Sequence, residues 1–529
     1  MPGASSRVRQ QKAHTNSLAQ NRVPLSSGEQ NTMGLNVFDV AVIVLYLACV
    51  TAFGMHFKKK QTTIKGYFLA EKTIPWWAIS LSIVAAETST LTIISVPGMA
   101  YEQDFRFLQL VIGYIIGRVI ISLLLIPHYF RGDLVTAYQL IERRFGQRLR
   151  SLTAGLFLLT RAAADGVRVF AIAIVVGIAL SGLLRGYSDL GRDVTAIAIV
   201  MILTLIYTFK GGMATVIWTD VVQLTVYMTG TVIGMFTIAH LVPGGFHAAI
   251  GMAADAGKFH VFQFGWNFYA KYTFWSGVIG GAFLTTASHG TDQLIVMRLL
   301  ASRSERFAKM SLVMSGFLVL FQFALFLLIG ALLFVFYKLL PPNAVFVRSD
   351  RIYPTFVVNY MPHGISGLLV SAILAAAMSS LSASLYSLSS TTIVDFYSRF
   401  NPGVSEKRKM FLSRMATIGW GIVLFGLAIV VRQSGQKVLE IGLSIASVAY
   451  GSLLGVFMLG VLTRRASESG AMVGMLCGFI LNIFLWQFTG VPYTWYVPLG
   501  SIVTFTIGFG ASFFLRRTMP VEPATEVRV

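Results

Sequence analysis

The stretch AAAMSSLSASLYSLSSTTIVDFY, residues 375–397, decides how the rest of the chain is read. Its length and apolar background are those of a helix at membrane depth, yet hydroxyls stand at Ser379, Ser380, Ser382, Ser384, Ser387, Ser389 and Ser390. Hydrocarbon offers these groups no hydrogen bond, so they face protein, water or a bound ion. One reading keeps them local, because serines in a membrane helix bond back to their own backbone or let helices approach closely. The other is chemical. A small hard cation such as sodium takes oxygen ligands, and hydroxyls beside freed carbonyls supply them without adding charge. A second polar interruption elsewhere in the chain favours the chemical reading.

Composition places this helix in a polytopic membrane protein. Hydrophobic residues make up 55% and charged residues 12% of 529 positions, a balance that excludes an ordinary soluble domain. The net charge of +20 would suit nucleic acid, but the basic residues are spread through short loops between apolar runs. Membrane topology and anionic headgroups demand that distribution, so no nucleic-acid partner is expected. Cys49 and Cys477 fall in apolar runs far apart, which implies no disulfide framework. The histidines form neither metal-ligand spacing nor a nucleophile–base arrangement, so the chain is not expected to be an enzyme.

Thirteen apolar segments, numbered 0 to 12, lie near 36–56, 76–100, 107–130, 151–184, 190–208, 213–240, 273–298, 308–338, 364–398, 412–432, 437–463, 469–490 and 494–515. Most reach the roughly 20 residues that cross about 30 Å of hydrocarbon. With the N-terminus outside, the segments turned to the cytoplasm hold 25 of the 42 Lys and Arg, which predicts a cytoplasmic C-terminus. Residues 1–34 read as a polar, disordered tail without the apolar core of a signal peptide, and Met33 is an alternative start. The transmembrane domain is expected over 35–516 with a short tail at 517–529, in a plasma membrane or a bacterial inner membrane.

The second interruption lies in segment 1, WWAISLSIVAAETSTLTIISVPGMAY from Trp76, which carries Glu87, Thr88, Ser89 and Thr90 at its middle and Pro97-Gly98 about two turns later. A polar run at mid-membrane depth is costly unless it lines a cavity, and unwound backbone there offers carbonyls to a cation. Segment 6, WSGVIGGAFLTTASHGTDQ, shows the same trait. Two interrupted helices five apart point to an inverted-repeat transporter with a midplane site. Segments 1–5 (about 76–240) and 6–10 (about 273–463) would be the halves, although no repeat is visible as residue identity.

With these motifs in hand, the chain resembles the sodium:solute symporters, relatives of the sodium–glucose, proline and monocarboxylate cotransporters. The resemblance runs from segment 0 to segment 10. It rests on YFLAEKTIPWWAISLS (67–82), TAYQLIERRFG (136–146), YTFKGGMATVIWTDVVQ (207–223), GTDQLIVMRLLASRSERFAK (290–309) and the serines of segment 8. It implies an all-α, LeuT-type inverted-repeat bundle that moves a small organic solute with sodium by alternating access, as a monomer. The implied sodium site takes two carbonyls from segment 1 and a carbonyl with two adjacent hydroxyls from segment 8. Matched position by position, these are Ala85, Thr88, Ala376, Ser379 and Ser380. Thr88 is polar where several relatives are apolar, but the implied ligand is its carbonyl. A second sodium, bound by some relatives, would fall to Ser379, Ser382 and Asp220, yet Ala383 stands where a further hydroxyl belongs. One sodium is therefore expected. Tyr386 stands where the family usually has Asn. Thr285 and Ser288 align with positions that touch substrate or close the inner gate in sugar-transporting relatives, and Glu87 and Ser89 join them as candidate substrate residues.

Segment 3 holds Arg161, Asp165 and Arg168 on one helical face in TRAAADGVRVF. Buried charges need partners, and two arrangements satisfy this. In one, Asp165 bridges one arginine and Glu87 neutralises the other; in the other, Arg168 receives a substrate carboxylate. The first is expected. Energetics point the same way, because one sodium falling through a tenfold gradient and about 100 mV supplies about 3.7 kcal/mol. That concentrates a neutral solute about 500-fold, whereas a monoanion cancels the electrical term and reaches only about tenfold. A neutral or zwitterionic solute thus suits one sodium. The alternatives are a carboxylate symporter that uses Arg168 with a second sodium, or a transporter-like sensor.

Overall fold

A computed structural model describes residues 35–58, 73–131, 137–181, 186–207, 213–342, 346–397, 401, 403–432 and 437–515. The expected tails at 1–34 and 517–529, residues 67–72, 136 and 208–212 of the motifs, and the side chains of Ser379 and Tyr386 lie outside the described residues. Among those described, every named element is helical, and Ile74 meets Ser302 in an isolated bridge.

In chain order the helices are α1 (Val37–Lys58), α2 (Trp76–Glu87), α3 (Thr90–Glu102), α4 (Leu108–Leu124), α5 (Ile126–Phe130), α6 (Ala137–Phe145), α7 (Gln147–Ala179) and α8 (Asp189–Tyr207). They continue as α9 (Met213–Leu241), α10 (Gly245–Asp255), α11 (Phe274–Gly290), α12 (Gln293–Leu300), α13 (Glu305–Leu339), α14 (Ile352–Tyr360) and α15 (Ile365–Ser390). The last are α16 (Glu406–Arg432), α17 (Val438–Leu462), α18 (Glu468–Phe488) and α19 (Tyr496–Phe514). Nine of the described helical spans are long and apolar enough to cross a bilayer, and the α2–α3 pair, bent by 68°, makes a tenth if counted as one span. Helices also cover the remaining expected segments: α1, the broken pair α11–α12, and α8, which carries Asp189, Arg192 and Asp193 in its first two turns.

Small residues set the packing, because helices in lipid gain most from close van der Waals contact. Gly113 and Gly117 of α4 face Gly277 and Gly281 of α11 so closely that a Cβ on Gly281 would strike the Leu110 carbonyl. Gly470, Gly474 and Gly478 of α18 run against Gly500, Thr504 and Gly508 of α19 in the same way. The Pro97-Gly98 pair does not interrupt segment 1. It sits inside α3, where Gly98 leaves room for the Ser349 carbonyl, 2.5 Å from where a Cβ would be. Beyond Ser390 the serine-rich helix widens into a π-helical turn over Thr391–Tyr397, a rare geometry that is frequent at functional sites.

Candidate functional site

The break between α2 and α3 falls at Thr88 and Ser89, within the polar run that the sequence placed at mid-helix. Thr88 adopts φ −80°, ψ 81°, an inverse γ-turn, and Ser89 is extended at φ −81°, ψ 171°. The Ser89 N–H therefore bonds the Glu87 carbonyl at 3.0 Å, two residues back, instead of the Ala85 carbonyl a helix would use. Ala85 and Thr88, the two carbonyl positions of the expected sodium site, thus flank a local departure from the helical ladder. The Thr88 hydroxyl donates to the Val84 carbonyl at 2.7 Å and accepts from Gln322 Nε2 at 2.6 Å. Ala376 and Ser380 lie one turn apart on α15, both half-buried, and α15 packs against α3 and α9.

The second break has a different build. α11 ends at Gly290, whose carbonyl accepts from the Tyr129 hydroxyl at 2.5 Å. Asp292 then caps α12, its side chain accepting from the Leu294 N–H at 2.9 Å. Thr285 is buried and faces α4 at Gly117, while the half-buried Ser288 bonds His289 Nδ1 at 2.9 Å.

The expected neutralisation of one segment 3 arginine by Glu87 is not what forms. Glu87 makes its ion pair with Arg118 of α4, and His289 Nε2 of α11 stands 3.4 Å from the same carboxylate. Arg118 is wholly buried, and its Nε also donates to Ser315 of α13 at 3.1 Å. Asp165, in turn, serves both arginines of α7, accepting from Arg161 Nε at 2.9 Å and Arg168 Nη1 at 2.6 Å. Arg161 also bonds Ser384 of α15 and lies 3.9 Å from Asp292. The physical reason is neighbourhood. α4 presents the charge nearest to Glu87, whereas the helical face shared by Arg161, Asp165 and Arg168 satisfies itself first. The Nε of Arg168 is buried and has no partner among the described residues, and the same is true of Nη1 of Arg118.

Asp220, the candidate for a second sodium, is occupied otherwise. Its Oδ2 accepts from Ser82 of α2 at 2.6 Å and from Arg298 of α12 at 2.9 Å. Arg298 closes the triangle by donating from Nε to Ser82 at 2.9 Å. Ser382 is buried on α15. Sequence reasoning thus missed Arg118, His289, Asp292, Arg298 and Gln322 as members of these clusters. A lone charge inside the apolar run LQLVIGYIIGRVIISLL was the available signal for Arg118, since such a charge requires a partner.

Comparison with known proteins agrees with this architecture. The model of the sodium:solute symporter family matches residues 67–478. The chain is 28% identical to a sodium/sialic acid symporter of Aliivibrio fischeri, covering 88% of this chain and 90% of that one. It is 31% identical to another, from Proteus mirabilis, covering 88% and 92%. A solved sodium-coupled sialic acid symporter, substrate-bound and outward-open, superposes with a TM-score of 0.77 at 29% identity, over 92% of this chain and all of that one. The helical bundle, its broken first span and these matches give a LeuT-type membrane transporter that uses sodium. The chain belongs to the sodium:solute symporter family.

Proposed function

We propose that the chain carries a small organic solute bearing a carboxylate into the cell, driven by one sodium bound at the break of segment 1. The Ala85 and Thr88 carbonyls, the Ala376 carbonyl and the Ser379 and Ser380 hydroxyls hold the ion, and Arg168 meets the carboxylate. The observation that carries the substrate reading is the buried, unengaged Nε of Arg168, on an arginine that Glu87 does not need because Arg118 neutralises it. A guanidinium with a free edge is a natural carboxylate receptor. Two relatives named for sialic acid support the same class. Glu87, Ser89, Thr285 and Ser288 are proposed to complete the substrate surroundings, with Thr285 acting through its packing on α4.

One sodium and one monoanion move without net charge, so accumulation is limited to about tenfold by a tenfold gradient. A second sodium at Ser382 and Asp220 would have to share its carboxylate with Arg298, which supports the one-sodium reading. Inverted repeats over 76–240 and 273–463, an outside N-terminus, a cytoplasmic C-terminus and action as a monomer belong to the same proposal. A neutral or zwitterionic solute is the second reading, because Arg161, Arg168, Asp165 and Asp292 balance to zero without an anion.

Sodium-driven uptake into proteoliposomes, competed by a panel of carboxylates and their amides, tests the assignment. Arg168→Gln should raise the half-saturation constant for carboxylates by about 10- to 100-fold, the worth of a hydrogen bond to a charged group, and leave amides little changed. Equal loss for both kinds of competitor, or uptake that carries current with one sodium, transfers the assignment to the neutral or zwitterionic reading.

A further inference from the structure

α13 runs parallel to the broken first span and touches it at three levels. Near the start of α2, the Ser311 hydroxyl donates to the Trp76 carbonyl at 2.9 Å. At the break, Gln322 donates to Thr88 at 2.6 Å. On α3, Gly330 meets Pro97 so closely that a Cβ on Gly330 would strike the Pro97 backbone. One continuous 35-residue helix therefore lies along both halves of the interrupted span. A γ-turn at the break is held by few local hydrogen bonds, so its dihedrals depend on what grips the side chains around it.

We infer that Gln322 is a positioning residue for sodium, acting through the Thr88 hydroxyl to fix the direction of the Thr88 carbonyl. The inference rests on the proposed sodium site and adds to it a chain-specific strut. Thr88 and Gln322 are each 1% exposed, so this hydrogen bond is made away from competing water. The Thr88 hydroxyl spends its proton on the Val84 carbonyl, the last turn of α2, and its lone pair on Gln322 of α13. With the Thr88 N–H also on the Val84 carbonyl at 2.9 Å, three hydrogen bonds to two elements pin one residue. The Tyr227 hydroxyl of α9, also buried, is a further polar neighbour of Thr88. These bonds hold the Thr88 Cα and side chain in place, and the Ser89 N–H on the Glu87 carbonyl closes the peptide that carries the Thr88 carbonyl, so the carbonyl is aimed before an ion arrives. Pre-organisation of this kind improves affinity by lowering the ordering that binding must impose.

The test measures sodium activation of uptake at saturating solute for Thr88→Val, Gln322→Leu, the double variant and Thr88→Ser. Thr88→Val and Gln322→Leu should each raise the half-activating sodium concentration by about three- to tenfold, the range of one buried neutral hydrogen bond. The double variant should be no worse than either single change, because both act through one bond. Thr88→Ser keeps the hydroxyl and should behave as the unaltered protein. A fall in thermal stability with an unchanged sodium constant would make the bond structural only and overturn the inference. Should Ser379→Ala/Ser380→Ala leave sodium dependence intact, the sodium site itself fails. Should that pair abolish it while Thr88→Val leaves the sodium constant unmoved, only the strut fails.

Discussion

Arg118→Gln is the most informative single change, because it separates the ion pair that forms from the one the sequence suggested. In the folded protein Arg118 is fully buried and Glu87 keeps only 15% of its side-chain surface exposed. Removing the guanidinium leaves a carboxylate among apolar helices with the His289 imidazole at 3.4 Å as its nearest remaining polar partner. Breaking a buried pair by removing one partner costs about 3–5 kcal/mol, and the nearby imidazole places the expected loss at the lower end. Replacing both, as Glu87→Gln/Arg118→Gln, removes the uncompensated charge and should recover all but about 1 kcal/mol, the scale of a neutral hydrogen bond. The assay is a double-mutant cycle on thermal unfolding in lipid–detergent micelles, with Arg168→Gln and Glu87→Gln/Arg168→Gln as the parallel cycle. The second cycle should show no rescue, since Arg168 is paired with Asp165. Rescue of Arg168→Gln by Glu87→Gln, without rescue of Arg118→Gln, would refute the pairing described here.

Other outcomes follow from named contacts. Ser379→Ala/Ser380→Ala should abolish sodium-stimulated uptake in protein that still folds, measured as uptake against a choline control, because the site loses two of five oxygens. With Ala383 lacking a hydroxyl and Asp220 matched to Arg298, sodium activation should be hyperbolic, with a Hill coefficient near one by initial-rate titration. Arg298→Gln should destabilise the protein by about 3 kcal/mol or more, and Asp220→Asn should rescue it, since the pair is buried on both sides. Gly281→Ala should cost about 1–3 kcal/mol in thermal unfolding, opposite to the gain this exchange brings in an open helix, because the added Cβ strikes the Leu110 carbonyl.

Much of the site was legible from sequence because the signals were local. Apolar runs of membrane length set the class, as any backbone in hydrocarbon must close its own hydrogen bonds. The run Glu87-Thr88-Ser89-Thr90 marked the break, since polar groups at that depth require freed backbone or a cavity around them. The spacing of Arg161, Asp165 and Arg168 gave one helical face, and the structure joins all three through Asp165.

Partners across helices were another matter. Glu87 had three arginines within buried segments to choose from, and hydrophobic periodicity says which face a residue occupies but not which helix lies opposite. Only tertiary packing set α4 beside the break, so that Arg118 rather than Arg168 neutralises Glu87. The same holds for Asp220 with Arg298, 78 positions apart, and for Gln322 with Thr88, 234 apart. Sequence fixes what a buried polar group must have; the packing of helices against one another decides who supplies it, because in a low-dielectric interior the nearest complementary group wins.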